Sequence, residues 1–328
     1  MIPLRFLPPL LLAALAAGTA AVLPAARAAA PQVRTQAPGW YRMMLGRFEV
    51  TALSDGSHTF PVDTVMTGID ASTVERALAR NDLRPPVQGS INAFLVNTGR
   101  QLVLIDTGAG SLYGPCCGKL LANLRAAGYA PEQVDLVLLT HLHKDHVGGV
   151  LAGGRRAFPN AVVRAAGADA DYWLAPAGRA QAPDFLASFF DSARDAVAPY
   201  ARAGRFRPFD AAAGAELVPG IRPVAAPGHT PGHSGYLVKD GGQALLVWGD
   251  VVHVAAIQLD APGVTLKYDT DPARAAATRT ALLERAAREH LLVAAAHVAF
   301  PGLGHVRQDG DGYTWLPLNY EADPADPH

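Results

Sequence analysis

Cysteine is almost absent. Cys116 and Cys117 are the only two among 328 residues, and they are neighbours. That excludes a disulfide-stapled scaffold, and disulfide geometry disfavours a bond between adjacent residues. Both read as packing residues or free thiols, and neither as a zinc ligand. An excess of one charge is also lacking: 28 basic against 29 acidic residues leave a net charge of -1, with no long run of one sign. This excludes a polybasic face for nucleic acid or an anionic membrane. Charged residues make up only 17% of the chain while half is hydrophobic. Global disorder is therefore excluded and a sizeable core is expected. No internal repeat, linker or low-complexity tract follows the first thirty residues.

Those thirty residues differ from the rest. Arg5 precedes the apolar run from Phe6 to Ala26, and small residues offer cleavage sites after Ala28 or Ala30. Basic, apolar and small residues in that order form the layout of a secretory signal peptide. The run is nearly long enough to be a membrane anchor, but Pro8, Pro9, Pro24 and the alanine-rich end favour cleavage. The expected organisation is thus a leader over 1–30 and a single domain over 31–328. A periplasmic or secreted product is expected, with no membrane partner once the leader is removed.

Along the mature chain, 31–46 reads as an irregular arm and "RFEVTALSDG" as a strand ending in a turn. "ASTVERALAR" carries a Ser-x-x-Glu capping pattern at Ser72 and Glu75 and reads as a helix. "SINAFLVNTG" and "QLVLIDTGAG" read as consecutive strands, "GKLLANLRAAGY" as a helix, and "VDLVLLT" as a buried strand. After a strand at "AVVRAAG" comes helical material, then strands at "IRPVAAPG", "HSGYLVKDG" and "QALLVWGD". Asp271 as N-cap and Pro272 at the first position open a long helix, and "LLVAAA" is a closing strand.

What the chain does have is a crowd of imidazoles. "THLHKDHVGG" places His141, His143, Asp145 and His146 within six positions. Protonated neighbours of this kind repel, and a bound divalent cation removes the problem. In an extended stretch His141 and His143 point the same way, whereas Asp145 and His146 lie beyond a turn and reach a second position. One ion cannot use all four without strain, so the spacing suggests two. His229 would complete the first site and His297 the second, and Asp250, with two oxygens, can bridge them. Each candidate follows the end of a predicted strand, where polar groups converge at the rim of a sheet.

These motifs, "PGHTPGHS", the Gly-Asp at 249–250 and "AHVAFPGLGH" included, resemble in order and spacing the metal motifs of the metallo-β-lactamase superfamily. With "GDVVHVA" and "RMMLGRFEVTALSDG" they look closest to the exported methyl parathion hydrolase group. The resemblance covers most of the mature chain, from about Trp40 to Tyr320. It implies an α/β fold, a four-layer αβ/βα sandwich with the metals at one edge. It also implies that His141, His143 and His229 bind one zinc, that Asp145, His146 and His297 bind the other, and that Asp250 bridges them. Asp106 would support the ligand loop from behind, and His233 would be structural or of the same supporting kind.

The activity implied is that of a dinuclear zinc hydrolase. Cations roughly 3.5–4 Å apart hold a bridging hydroxide that attacks a carbonyl or phosphoryl centre. Asp145 would orient it, so no Ser or Cys nucleophile is needed. Manganese, iron or cobalt suit the same ligands. The substrates expected are small neutral, apolar esters (aryl esters, lactones or organophosphate triesters), and a homodimer is compatible with this reading. Tyr113, Trp173, Phe189 and Phe190 are candidate pocket walls. His253 stands where acyl-homoserine lactonases carry a tyrosine, which weakens a strict lactonase reading. His305 reads as a loop-fixing residue and Lys144 as solvent-facing, while His58, His290 and His328 are given no role. Among alternatives, the bridging Asp250 argues against a true β-lactamase, and no basic C-terminal helical domain supports a glyoxalase II. His143 argues against a diiron oxygen reductase. A non-catalytic metal-binding module would be expected to lack ligands, and all seven positions are filled.

Overall fold

The computed structural model describes residues 30–323. The expected leader, apart from Ala30, and His328 lie outside the described residues. From Ala37 onward the described chain forms one compact unit, while residues 30–36 carry no regular secondary structure. Among the described residues no helix is long and apolar enough to cross a membrane.

Two six-stranded sheets organise the unit. The first runs, edge to edge, Trp40–Leu45, Phe48–Phe60, Val87–Asn97, Leu102–Ile105, Leu136–Leu138, Val162–Arg164. Its first four strands are antiparallel and the last two add in parallel. The second runs Ile221–Ala225, Ser234–Asp240, Gln243–Val247, Leu292–Ala294, Leu303–Asp309, Gly312–Pro317, with one parallel pair at its centre.

Alternation along the strands explains why the sheets stack with helices outside. Phe94 and Val96, Val103 and Ile105, and Leu136 and Leu138 point into one apolar layer. There they meet Tyr236 and Val238, Leu245 and Val247, and Leu292 and Ala294 from the other sheet. The intervening residues Leu95, Leu104 and Val137 face the opposite way, against Leu120, Leu124, Phe190 and Val197 of the helices Leu120–Ala126 and Ala187–Arg202. On the far side Leu237, Leu246 and Val293 pack against Leu282, Leu283 and Ala286 of the helix Pro272–Arg288. A sheet apolar on both faces needs a cover on both faces, and the result is a helix–sheet–sheet–helix stack. Each fully buried Leu, Val or Phe contributes roughly 1.5–3 kcal/mol to it. The chain has the metallo-β-lactamase fold.

Several sequence expectations are corrected here. Trp40–Leu45 is not part of an irregular arm but an edge strand, turning at Gly46 (φ +60) into the next. The strand beginning at Phe48 does not end at Asp55-Gly56. It absorbs the pair as a register shift and continues to Phe60. The N-cap of the helix Ala71–Ala79 is Asp70, whose carboxylate accepts from the Thr73 amide at 2.9 Å, rather than Ser72. A carboxylate two residues earlier outcompetes the hydroxyl, which itself donates to Asp70. The C-terminal hairpin from Leu303 to Pro317 was not anticipated at all. Asp271, by contrast, caps the long helix as expected, accepting from the Arg274 amide at 3.0 Å.

Candidate metal centre

The ligand candidates emerge where strands stop. His141 and His143 follow Leu136–Leu138, and His143 precedes a single helical turn, Lys144–Val147, that carries Asp145 and His146. His229 lies in the loop after Ile221–Ala225, Asp250 in a short turn after Gln243–Val247, and His297 just beyond Leu292–Ala294. The "GG" that ends the first motif has a steric reason. A Cβ at Gly149 would sit 1.9 Å from the Thr107 carbonyl oxygen, because the loop after Leu102–Ile105 runs directly against the ligand loop.

The side chains converge. His141, His143, His229 and Asp250 form one group whose ligand atoms lie within 4.8 Å of one another, and Asp145, His146 and His297 form a second. Asp250 stands between them. Its Oδ2 lies 3.3 Å from His229 Nε2 and 3.6 Å from His141 Nε2. Its Oδ1 lies 3.0 Å from His146 Nε2 and 3.1 Å from His297 Nε2. Asp145 Oδ2 is 3.6 Å from His297 Nε2 and 3.9 Å from His146 Nε2.

These approaches are close, yet several make no hydrogen bond. His141 Nε2, His146 Nε2 and Asp250 Oδ1 are buried with no hydrogen-bonding partner, while His143 turns its Nδ1 inward, 3.0 Å from His229 Nε2. Orphaned buried polar atoms are costly, on the order of 1–3 kcal/mol each. Nitrogen and carboxylate donors aimed at common points are what divalent transition metals require. The donor set fits divalent transition-metal binding.

The opposite ring nitrogens are held from behind. His146 Nδ1 lies 2.9 Å from Asp106 Oδ2, and Asp106 also accepts from the Thr140 amide at 2.8 Å. His229 Nδ1 lies 2.7 Å from Asp269 Oδ1, and Asp269 Oδ2 accepts from the Leu266 amide at 2.8 Å. His297 Nδ1 faces the Ser90 carbonyl at 2.9 Å. His233 bridges the Ala226 carbonyl (3.0 Å) and the Asp250 amide (2.9 Å), which fixes the turn that carries Asp250. Such partners set tautomer and ring orientation.

Electrostatics follow from this packing. Burial, aided by neighbouring imidazoles, holds His141 and His143 well below the usual histidine range, in the neutral form a metal binds. Burial and then His229 push His233 down to about 3. Burial works against charge on His229 too, but the Asp250 and Asp269 carboxylates prevail and raise it to about 9. Burial also opposes ionisation of Asp250, and His146, His297 and His253 overcome it, holding the carboxyl well below the ordinary range.

Above the centre is a cavity lined on its apolar side by Phe60, Ile91, Tyr113, Phe189 and Tyr268. Tyr113, Phe189 and His253 among the expected pocket residues line it. Trp173 and Phe190 do not. Both are fully buried beneath it, Trp173 edge-on to His143 at 4.9 Å and tilted against Phe190 at 4.5 Å. Helix Ala187–Arg202 points Phe190 to the core and its neighbour Phe189 to the cavity, so the rotation of about 100° between consecutive helical residues decides between them. Lys144 is not simply solvent-facing, since it donates to Ser188 Oγ at 2.8 Å and lies over the Phe189 ring. His305 sits on a strand with Nδ1 3.0 Å from the Leu291 carbonyl, and His290 closes the long helix at φ +50.

Sequence reasoning missed four participants. His58 lines the cavity, its ring 4.7 Å from that of Tyr113. Asp269 orients His229. Asp169, fully buried, accepts from the amides of Leu142 (3.0 Å) and Gly232 (2.6 Å) and so joins two ligand loops. Asp55 accepts four amides, those of Ala109, Gly110, Gly118 and Leu120, and anchors the loop that carries Tyr113. His253 also goes beyond a pocket wall, with Nε2 2.9 Å from Asp250 Oδ2.

Comparison with known proteins agrees with this geometry. The crystal structure of hydrolase AbOPH, in the beta lactamase superfamily, superimposes with a TM-score of 0.83 at 38% identity, over 88% of this chain and all of that one. AidC, a dizinc quorum-quenching lactonase solved with a homoserine product, gives 0.80 at 25% identity, over 86% and 98%. The Drosophila melanogaster beta-lactamase-like protein 2 homolog is 30% identical over 172 residues, and the Aspergillus niger lactamase-like protein adaB is 44% identical over 78. Those matches span half and about a quarter of the respective relatives' lengths. The sequence profile of the metallo-β-lactamase superfamily matches residues 86–297, and with the paired histidine–aspartate groups at the strand ends it shows that the chain belongs to that superfamily of hydrolases.

Proposed function

We propose that the protein is an exported dinuclear zinc hydrolase of neutral, apolar esters, akin to the methyl parathion hydrolase group. The observation that carries this reading is the division of Asp250, with one oxygen toward each histidine group beneath an apolar cavity. His141, His143 and His229 would hold one ion, Asp145, His146 and His297 the other, with Asp250 shared. Divalent cations bound there supply a water activated near neutral pH and Lewis-acid polarisation of the attacked oxygen.

The chain's own contribution is placement. Phe60, Ile91, Phe189 and Tyr268 hold an apolar acyl, aryl or alkyl group and exclude bulk water, which strengthens every electrostatic contact at the floor. Asp145 Oδ2, at the floor of the cavity, is positioned to orient a water and take up its proton. Tyr113 keeps its phenolic proton, because burial and then the Asp145 carboxylate raise it well above its ordinary range, so it remains a hydrogen-bond donor facing the substrate. A neutral substrate suits these walls, for no cationic side chain lines the cavity among the described residues apart from the histidines.

A lactonase proper is the second reading, supported by the likeness to AidC over most of both chains. His253 in place of a tyrosine favours the broader ester reading. The test is metal analysis of the purified protein together with turnover of a lactone, an aryl ester and a phosphotriester. About two metals per chain are expected, with His143→Ala and His297→Ala each removing a different one. A single metal, lost in only one of these variants, would contradict the proposal.

A further inference from the structure

We propose that Cys116 and Cys117 form a thiol–disulfide exchange site whose state is felt by the substrate cavity. The turn Gly114–Cys116 swings the two side chains to the same side, and their Sγ atoms lie 2.9 Å apart, closer than sulfurs rest in ordinary contact. They differ in access. Cys116 is partly exposed and Cys117 is buried, and burial, with the Cys116 thiol next, pushes Cys117 far above the usual thiol range. Cys116 is therefore the thiol that reacts first.

The reaction partner is a low-molecular-weight disulfide, a class at home in the oxidising compartment that export implies. The Cys116 thiolate attacks one sulfur of that disulfide, forming a mixed disulfide and releasing one small thiol. Cys117 then gives up its proton and attacks Cys116 Sγ, closing a ring between adjacent residues and releasing the second small thiol. Two electrons and two protons leave the cysteines and reduce one small disulfide to two thiols. Adjacent Cα atoms are nearer than disulfide geometry prefers, so the ring is strained and easily reopened by free thiols, the property of a reversible site rather than a staple.

The link to the cavity is local. Cys116 Sγ contacts the Tyr113 carbonyl at 3.3 Å, and both cysteines pack with Ile91, Ala109 and Tyr113. Ile91 and Tyr113 are cavity walls. On one side the turn is held through the Gly118 and Leu120 amides by Asp55, and on the other its Cys116 carbonyl abuts Gly56. Closing the ring takes Sγ away from the Tyr113 carbonyl, and the strain falls on the Tyr113 end of the turn.

The test uses the metal-loaded, reduced protein incubated with glutathione disulfide, blocked with a maleimide and weighed intact. Loss of two hydrogen atoms with no maleimide added is expected. Two maleimides on the treated protein, or a glutathione adduct that persists, would overturn the site. Cys117→Ser should trap the glutathione adduct on Cys116, and Cys116→Ser should form none. An equal adduct in Cys116→Ser would contradict the assigned order. The oxidised wild type should show a several-fold change in KM for a chromogenic aryl ester at unchanged metal content, reversed by dithiothreitol. An unchanged KM in fully oxidised protein would refute the link to Tyr113.

Discussion

Asp269→Asn should weaken metal binding by about 10- to 100-fold while leaving the fold intact. Asp269 is buried and faces two donors at once: His229 Nδ1 at 2.7 Å and the Leu266 amide at 2.8 Å. A carboxylate accepts from both. An asparagine side chain has one accepting oxygen and one donating amide, so in either orientation it presents an N–H to one of them. If the amide faces His229, the imidazole must take its proton on Nε2, the atom that points to Asp250 Oδ2, and the lone pair offered to the metal is lost. If it faces Leu266, the loop that carries Tyr268 is disturbed instead. The affinity change corresponds to about 1.4–2.8 kcal/mol. Competition against a calibrated chelator would measure it, with far-UV circular dichroism to check the fold. Wild-type affinity at both sites in Asp269→Asn would refute the claim that this carboxylate sets the tautomer of His229.

Asp250→Asn keeps size but removes the charge shared by the two histidine groups. One metal should be lost on dialysis and turnover should fall by orders of magnitude, with partial rescue by excess zinc; elemental analysis and an ester assay read both. Asp169 offers a pH signature, because burial raises it to about 6 against three hydrogen-bond donors. A carboxyl whose folded value is raised stabilises fully below its unfolded value near 4 and loses that contribution as pH rises through 6, on the order of 3 kcal/mol in all. Denaturant unfolding of wild type minus Asp169→Asn, followed from pH 4 to 7, should therefore decline; a flat or rising difference would count against it. Mass spectrometry of exported material should find the chain beginning after Ala28 or Ala30, and an intact Met1 would defeat the leader.

What could be read from the sequence follows the range of the interaction. His141, His143, Asp145 and His146 announce themselves because a six-residue stretch carries its own geometry. His229, Asp250 and His297 were legible because each ends an apolar run. Asp169 and Asp55 were not, since their partners are backbone amides far off in the chain, and Asp269 was not, since the imidazole it holds is distant in sequence; ordinary acidic residues look the same. Asp269 sits in the unremarkable "KYDTDP", and only the fold puts it behind His229. The walls failed in another way. Trp173, Phe189 and Phe190 are equally aromatic, but the rotation of the helix Ala187–Arg202 sends Phe189 to the cavity and Phe190 to the core, and Trp173, at the end of the helix Gly167–Trp173, is buried beneath them. Strand edges such as Trp40–Leu45 were lost because Arg42 interrupts an otherwise apolar run, although Tyr41, Met43 and Leu45 keep a period of two in burial.

The two sheets are latched to each other beside the ligands, and this bears on how ions come and go. The Ser234 amide donates to the Thr140 carbonyl at 2.9 Å, one residue before His141, and the Tyr236 hydroxyl donates to the Leu139 carbonyl at 2.6 Å. At the other group the Asn92 amide and side chain donate to the carbonyls of Ala296, Ala295 and Val298, on either side of His297. Neither sheet can swing from the other without breaking these bonds, so no hinge opens the centre. Exchange of a bound metal would then proceed one donor atom at a time through the mouth of the cavity, the same route open to a substrate. An occupied cavity should slow the escape of the ions, and a bulky ester analogue should protect them from a chelator while it stays bound.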